Sequence, residues 1–411
     1  MKTILIGGEI TPAAKMLREG GLVAVPTETV YGLAGNGLDA SVIERIYEVK
    51  GRPAVKPISL MVGNSGAIAD LCAAVPQAAL ELAEKFWPGP LTLVLKARAG
   101  IPEILRAGGE TVGLRCPRQQ QTLQLLQKLS FPLAVPSANP SGLPSPKTAD
   151  EVMQYFDGII EAVIDGGPCE LGLESTVLDM SQSPYRILRQ GSLPAEEIED
   201  ALVEAMHIIG ITGGSGSGKT TVLCELEKRG ALMIDADAVY HEMLETDASM
   251  LSELREAFPS AVKGAGIDRA VLGGIVFRDP KALKHLNNIT HSHISREIRN
   301  RLRAWAMQGG TLAAIDAIEL HSSGASSLCD WTLAVTAPRE TRIRRVMERD
   351  GITREAAERR ISAQLSDEAF GELCDAALFN DGDLAALQRQ LNIILEEHLN
   401  HGRKSERKPV L

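Results

Sequence analysis

Residues 213–220 read GGSGSGKT, a glycine-rich octet closed by a lysine and a hydroxyl. Glycines at this spacing let backbone N–H groups converge on phosphate oxygens. The lysine then reaches the outer phosphates, and the Thr220 hydroxyl can ligate Mg2+. An apolar β-branched run, Ile208 to Thr212, precedes the octet, and a helix-like stretch, TTVLCELEKR, follows it up to Gly230. Strand, loop and helix in that order are the context in which such a loop holds a nucleotide. Gly213, Gly214, Ser215, Gly216, Ser217, Gly218, Lys219, Thr220 and Thr221 are therefore expected to bind ATP. The next apolar segment, ALMIDAD, reads as a strand ending in Asp235 and Asp237. Carboxylates at a strand's carboxyl end suit Mg2+ or removal of a proton from an acceptor hydroxyl; a helix cap is the plain alternative for either. Eight arginines fall within residues 339–360. Interleaved glutamates account for several as a solvated helix face, and a lid that brings guanidinium groups onto phosphates accounts for the rest. Arg345 and Arg349 are the expected phosphate contacts, with the others at the surface.

The first half carries a different set. Thr27, Thr29 and Tyr31 follow the apolar run GLVAV. If extended, they share one face, a polar row able to hold a small zwitterion, although plain strand propensity would explain them as well. Lys50, Arg52 and Lys56 put three cations within seven residues of an otherwise acidic half, which points at phosphate or at a solvated turn. Ser137, Asn139 and Ser141 alternate between prolines in VPSANPSG and can supply hydrogen bonds to a nucleotide. Arg115 lies in VGLRCP, Ser175 and Thr176 in ESTV, and Arg189 in ILRQG. No histidine lies before His207, which excludes histidine-based nucleophilic catalysis and a histidine-ligated metal in this half. Cations, hydroxyls and an amide remain. Such a set binds ATP and stabilises charge while substrate groups react with one another.

The elements that must position these groups alternate between strand and helix, which argues for an α/β chain with a largely parallel sheet in its second half. Composition breaks near residue 206: 17 of the 21 prolines precede it and all eight histidines follow it. The first half carries 17 Lys and Arg against 24 Asp and Glu, a net of −7, and the second 26 against 29, a net of −3. The expected division is 1–206, 207–398 and a polar basic tail, 399–411. At 411 residues each half is long enough to bury its own core. Mean hydropathy is −0.01, and no apolar run approaches the roughly 18 residues of a membrane span. The start, MKTILIGGEITP, lacks the long apolar region and cleavage site of a signal peptide. The six cysteines lie at least 44 residues apart, with no metal spacing, as suits free thiols in a reducing cytoplasm. Net charge −10 argues against a protein held on nucleic acid or lipid by bulk charge.

With these motifs in view, residues 207–398 resemble the dephospho-CoA kinases, through GITGGSGSGKTT, IDAD, RRVMERDGIT, ERRISAQ and DAALFNDGDLAAL. The resemblance implies a P-loop kinase fold and transfer of the ATP γ-phosphate to the ribose 3′-hydroxyl of dephospho-CoA, with Lys219, Asp235 and Asp237 catalytic. Two places differ from the family pattern: His291-Ser292 where His-Pro is usual, and Ser322 where a glutamate is usual. Residues 5–195 resemble the threonylcarbamoyl-AMP synthases (YrdC-like), through GGLVAVPTETVYGLAG, KGRP, FWPGPLTLVL, LRCP, VPSANPSG, ESTV and ILRQG. That resemblance implies a twisted α/β fold with a concave cationic face. It also implies formation of threonylcarbamoyl-adenylate from L-threonine, bicarbonate and ATP, which feeds t6A37 modification of tRNA. Carried over by motif, Lys50, Arg52, Lys56, Ser137, Asn139, Ser141, Ser175 and Arg189 face ATP, with Lys50 and Arg52 catalytic. Thr27, Thr29, Tyr31, Arg115 and Thr176 face threonine. Met61 stands where some relatives carry histidine.

The leading expectation is a bifunctional cytoplasmic enzyme with two ATP sites, Mg2+ as cofactor, and the tRNA threonylcarbamoyl transferase complex as a partner. No membrane association and no stable nucleic-acid binding are expected. Two other readings compete: a first half that is an RNA-binding module, and a second half that senses nucleotide without turnover or phosphorylates another small molecule.

Overall fold

The computed structural model describes residues 2–264 and 266–400. Internal contacts divide the chain into two compact units. One runs to Ala205 and includes Met307–Gly309; the other takes in the remaining described residues from Met206 to Asn400.

The first unit is built on an 11-stranded mixed sheet. Near its middle, Gly32–Asn36 runs antiparallel to both Val23–Val25 and Leu133–Ala134, and Leu60–Met61 runs parallel to Thr111–Arg115. Beyond these, Leu91–Ala97 pairs antiparallel with Thr111–Arg115 and parallel with Thr176–Asp179. The helix Ala40–Lys50 shows how sequence delivers a functional group. Asp39 caps its start by accepting hydrogen bonds from the Ser41 and Val42 N–H groups. Val42, Ile43, Ile46, Tyr47 and Lys50 form its buried stripe. Gly51 ends it at φ 56, a left-handed conformation that a side chain would disfavour. The stop turns the chain so that Lys50 goes inward and Arg52 follows on the next segment.

The extended row expected at Thr27, Thr29 and Tyr31 is not a strand. The strand Val23–Val25 ends before it, and the chain turns. The Thr27 hydroxyl accepts from the N–H groups of Thr29 (3.1 Å) and Val30 (3.2 Å), a local competition that hydroxyl residues win over a ladder.

The second unit is an open sheet of five strands in the order Leu232–Asp235, Leu312–Asp316, His207–Thr212, Trp331–Thr336, Ala376–Phe379. All four pairings are parallel. Every residue of Trp331–Thr336 is buried, as expected of a strand covered on both faces. Ile209, Ile211, Val222, Leu226, Leu333 and Leu391 share one core under the phosphate loop. Asp237, expected at a strand end, lies instead in the first turn of the helix Ala236–Thr246, and Asp235 is that helix's N-cap. The strand is cut short because Asp235 accepts from the Ala238 N–H at 2.9 Å. The final helix, Leu384–Asn400, runs into the expected tail, and residues 401–411 lie outside the described residues. Among the described residues, no helix is long and apolar enough to cross a membrane.

The cap at Asp39 is separable from chemistry. Asp39→Ala should cost about 1 kcal/mol of stability in the first unit. Urea unfolding followed in that unit, with nucleotide binding by the second unit as a control, checks it.

Candidate active sites

A cavity of about 300 Å3 opens in the first unit. Thr29, Tyr31, Arg52, Arg115, Ser137, Ser175 and Arg189 line it, so the fold gathers these sequence-separated groups. Three of them are arginines, against one lining carboxylate, Glu174. Burial holds Arg189 and Arg52 below the ordinary arginine range, and Arg115 and Arg52 push Arg189 further down. Cations crowded this way favour an anionic ligand. Arg189 donates through Nε (3.1 Å) and Nη2 (2.9 Å) to the Ser175 carbonyl, and Arg52 donates to the carbonyls of Lys56 (3.1 Å) and Pro57 (2.8 Å). Tyr31 is fully buried; its hydroxyl donates to the Gly167 carbonyl (2.8 Å), and burial pushes its pKa up to about 12.

The other expected residues do not line this cavity. Lys50 is 2% exposed, and its ammonium donates to the carbonyls of Ser137 and Asn139. It thus holds the VPSANPSG segment rather than lining the cavity. Asn139 donates to the carbonyls of Pro140 (3.1 Å) and Leu143 (2.6 Å), and the Ser141 N–H donates to the Lys50 carbonyl. The Thr176 hydroxyl bonds the backbone of Gly191 and Leu193. Thr27 serves its own turn, and the Lys56 side chain is not among the lining groups. Glu28, not singled out from sequence, is 3% exposed and pairs with Arg115 at 2.9 Å. Its second oxygen accepts from the Arg118 N–H. Arg115 also donates to the Thr29 hydroxyl at 2.8 Å. The signal for Glu28 was present: a carboxylate between two threonines in a motif otherwise destined for burial.

In the second unit, the strand His207–Thr212 delivers the phosphate loop, and the helix Lys219–Glu227 begins directly after Gly218. Gly218 sits at φ 97, and a Cβ there would lie 1.9 Å from the Asn380 amide, so glycine is required on two counts. Side chains take up the loop's carbonyls. Lys219 donates to Gly213 (2.7 Å), Arg342 to Ser215 (3.0 Å), Arg345 to Gly216 (3.2 Å) and Ser217 (3.3 Å), and Asn380 to Ser217 (2.8 Å). Arg349 instead pairs with Asp350 at 2.7 Å. Arg342, expected at the surface, is buried with Ile343 and Val346 along the inner face of the helix Arg339–Asp350. Helical spacing sets that face.

Asp316 sits on the strand beside Asp235, in register with it. Burial pushes Asp316 up to about 6 against the pull of Lys219, and its Oδ1 is buried with no hydrogen-bond partner. Burial and Asp235 raise Asp237 as well. A second cavity, about 170 Å3, is lined by Asp237, Tyr240, Asn287, His291, Glu319 and Ser323 among others. Glu319 therefore supplies a carboxylate there, three residues before Ser322, whose own hydroxyl turns to the Glu319 carbonyl.

The second unit, with its parallel sheet and glycine loop, has a P-loop nucleotide-binding fold, and the first is an α/β domain with a cationic cavity. Comparison with known proteins makes this particular. The family profile described as Telomere recombination (Sua5/YciO/YrdC) matches residues 15–191, and that described as Dephospho-CoA kinase matches 207–386. The threonylcarbamoyl-AMP synthase of Pyrococcus abyssi is 46% identical over 196 residues, 48% of this chain and 58% of the relative. A Mycobacterium tuberculosis relative is 34% identical over 202 residues, 49% of this chain and 93% of its own length. The dephospho-CoA kinase of Geobacter sulfurreducens is 37% identical over 191 residues, 46% of this chain and 97% of the relative. The chain belongs to the Sua5/YciO/YrdC family through its first unit and to the dephospho-CoA kinase family through its second. It spans 58% of the length of the Pyrococcus abyssi and Bacillus subtilis synthases it matches.

Burial, with Arg52 adding, pushes the Lys50 pKa down to about 7 from 10.5. The unfolded chain then binds more protons than the folded one between these values, so this group makes stability rise with pH across that window. The stability of the unaltered chain relative to Lys50→Met should increase between pH 7 and pH 10. Unfolding of both proteins across that range tests the sign; a flat difference would refute it.

Proposed function

We propose that the chain carries two ATP-dependent activities in the cytoplasm. The first unit makes threonylcarbamoyl-adenylate and pyrophosphate from L-threonine, bicarbonate and ATP. The second phosphorylates the 3′-hydroxyl of dephospho-CoA. The observation that carries the first reading is the cavity where Arg52, Arg115 and Arg189 converge against one lining carboxylate. Such a cavity neutralises a triphosphate and the charge that develops as pyrophosphate leaves. Arg115, oriented by Glu28 and bonded to Thr29, is suited to the threonine carboxylate, with the Thr29 hydroxyl close by. Lys50 acts from behind by holding the Ser137–Asn139 backbone. The product would feed t6A37 modification of tRNA, with the tRNA threonylcarbamoyl transferase complex as its consumer.

In the second unit, loop N–H groups and Lys219 would hold the ATP phosphates, and Asp237 would orient the acceptor hydroxyl and take its proton. Asp316 and Thr220 fit Mg2+, because the Asp316 oxygen is buried without a partner and both are hard oxygen donors. When bound, the ion would neutralise charge between the β- and γ-phosphates. Carboxylates of Asp237 and Glu319 in the neighbouring cavity suit an acceptor presenting neutral hydroxyls and repel one presenting a phosphate.

Arg52→Ala should slow threonine- and bicarbonate-dependent pyrophosphate release by roughly 10²–10³-fold while phosphorylation of dephospho-CoA stays intact. Normal release by the variant would remove Arg52 from the site. Conversely, Lys219→Ala should abolish ADP formation with dephospho-CoA, and Asp237→Asn should lower kcat by roughly 10²–10⁴-fold with little change in KM for ATP. AMP turned over faster than dephospho-CoA would assign this unit to the nucleoside-monophosphate kinases.

A further inference from the structure

Arg342 differs from its neighbours in the arginine-rich stretch. Arg349, Arg354 and Arg360 make exposed ion pairs, whereas Arg342 is 3% exposed. Its guanidinium fans out under the phosphate loop. Nε donates to the Ser215 carbonyl (3.0 Å), Nη1 to Asp367 (2.6 Å), and Nη2 reaches the Gln364 Oε1 (3.5 Å). The same Gln364 oxygen accepts from the Ser215 N–H (2.8 Å), and its Nε2 donates to the Ser215 hydroxyl (3.2 Å). Ser215 is therefore gripped at carbonyl, amide and side chain. The loop is shaped to admit the grip: a Cβ on Gly214 would lie 2.0 Å from Arg342 Nη2, and one on Gly216 would lie 2.6 Å from the Arg342 carbonyl.

Stability alone is a weak reason for this arrangement. Burying an ion pair costs desolvation that its attraction often only offsets, so such pairs are better understood through the geometry they impose. The planar guanidinium fork imposes a direction that a lysine, with a single ammonium, does not.

We propose that Arg342, braced by Asp367 and Gln364, is a positioning residue that holds Ser215 and the surrounding phosphate loop in the conformation that receives nucleotide phosphates. It acts through the loop and not on the substrate. Its helix also carries Arg345, which donates to the next two loop carbonyls, so one rigid element fixes consecutive peptides. A loop released from this grip spends less time in the receiving conformation, and apparent affinity falls by the fraction of time lost. The inference rests on the reading of this unit as an ATP-dependent kinase.

The test reads ATP as substrate and adenosine as inhibitor of dephospho-CoA phosphorylation, a signal of the second unit alone, in the full chain and in its Arg342→Lys and Gln364→Ala variants, with thermal unfolding as the check on folding. Gln364→Ala leaves the Arg342–Asp367 pair in place and so decides the question if Arg342→Lys fails to fold. The expected result is ATP binding weakened about tenfold in folded variants, with adenosine binding unchanged and KM for dephospho-CoA within about twofold of the unaltered chain. A merely structural role would lower the unfolding temperature and leave the ATP-to-adenosine ratio where it was. Folded variants that bind ATP as the unaltered chain does would overturn the inference alone. An unaltered chain that forms no ADP from ATP and dephospho-CoA would overturn the kinase reading along with it.

Discussion

The first unit's cavity and the second unit's glycine loop share one constraint: their backbone carbonyl oxygens are taken up by side chains, as a site for phosphate requires. A phosphate is recognised by N–H groups and cations, and a carbonyl pointing inward would repel it. In the second unit Lys219, Arg342, Arg345 and Asn380 take up the carbonyls of the glycine loop. In the first, Lys50 takes up those of Ser137 and Asn139, Arg52 those of Lys56 and Pro57, and Arg189 that of Ser175. The same residues that line the first cavity and the glycine loop, or stand just behind those that do, shape the backbone there.

This requirement also explains how so many cations are buried in an acidic chain. A desolvated cation needs acceptors, and carbonyl oxygens satisfy it without cancelling its charge as a carboxylate would. Where a carboxylate is used, it has a positional task. Glu28 meets Arg115 beneath the first cavity, and Asp367 meets Arg342 beneath the phosphate loop. Removing either carboxylate would leave a buried cation short of a partner, the costly kind of lesion. The acids of the second unit follow the opposite logic. Asp316, Asp237 and Asp235 gather at the ends of neighbouring elements around Lys219, and burial and mutual repulsion raise Asp316 and Asp237. Such a group favours a cation or a hydroxyl proton as its missing partner.

The sequence alone determined two of the second unit's five strands, the glycine loop and the helix after it, because each rests on local chemistry: β-branched runs, left-handed glycines, capping residues. It also marked the family-like motifs of the first unit and the break near residue 206. It misjudged Thr27–Tyr31 and Asp237 for a local reason. A short hydroxyl or carboxylate side chain can take backbone N–H groups from a strand, and alternation of residue types does not show when that happens.

Which cations line the cavity was decided only in the tertiary structure. Lys50 and Arg52 are two residues apart and read alike, yet one goes behind the wall and the other into it. Arg342 and Arg345 lie one helical turn apart, and Asp367 and Gln364, which brace Arg342, come from later segments. Glu28 and Arg115 are 87 positions apart in the chain and meet through sheet topology. Spacing within a motif fixes which way a backbone is built, because its forces act over a few residues. The partner that claims a charged side chain arrives from elsewhere in the chain, and packing alone selects it.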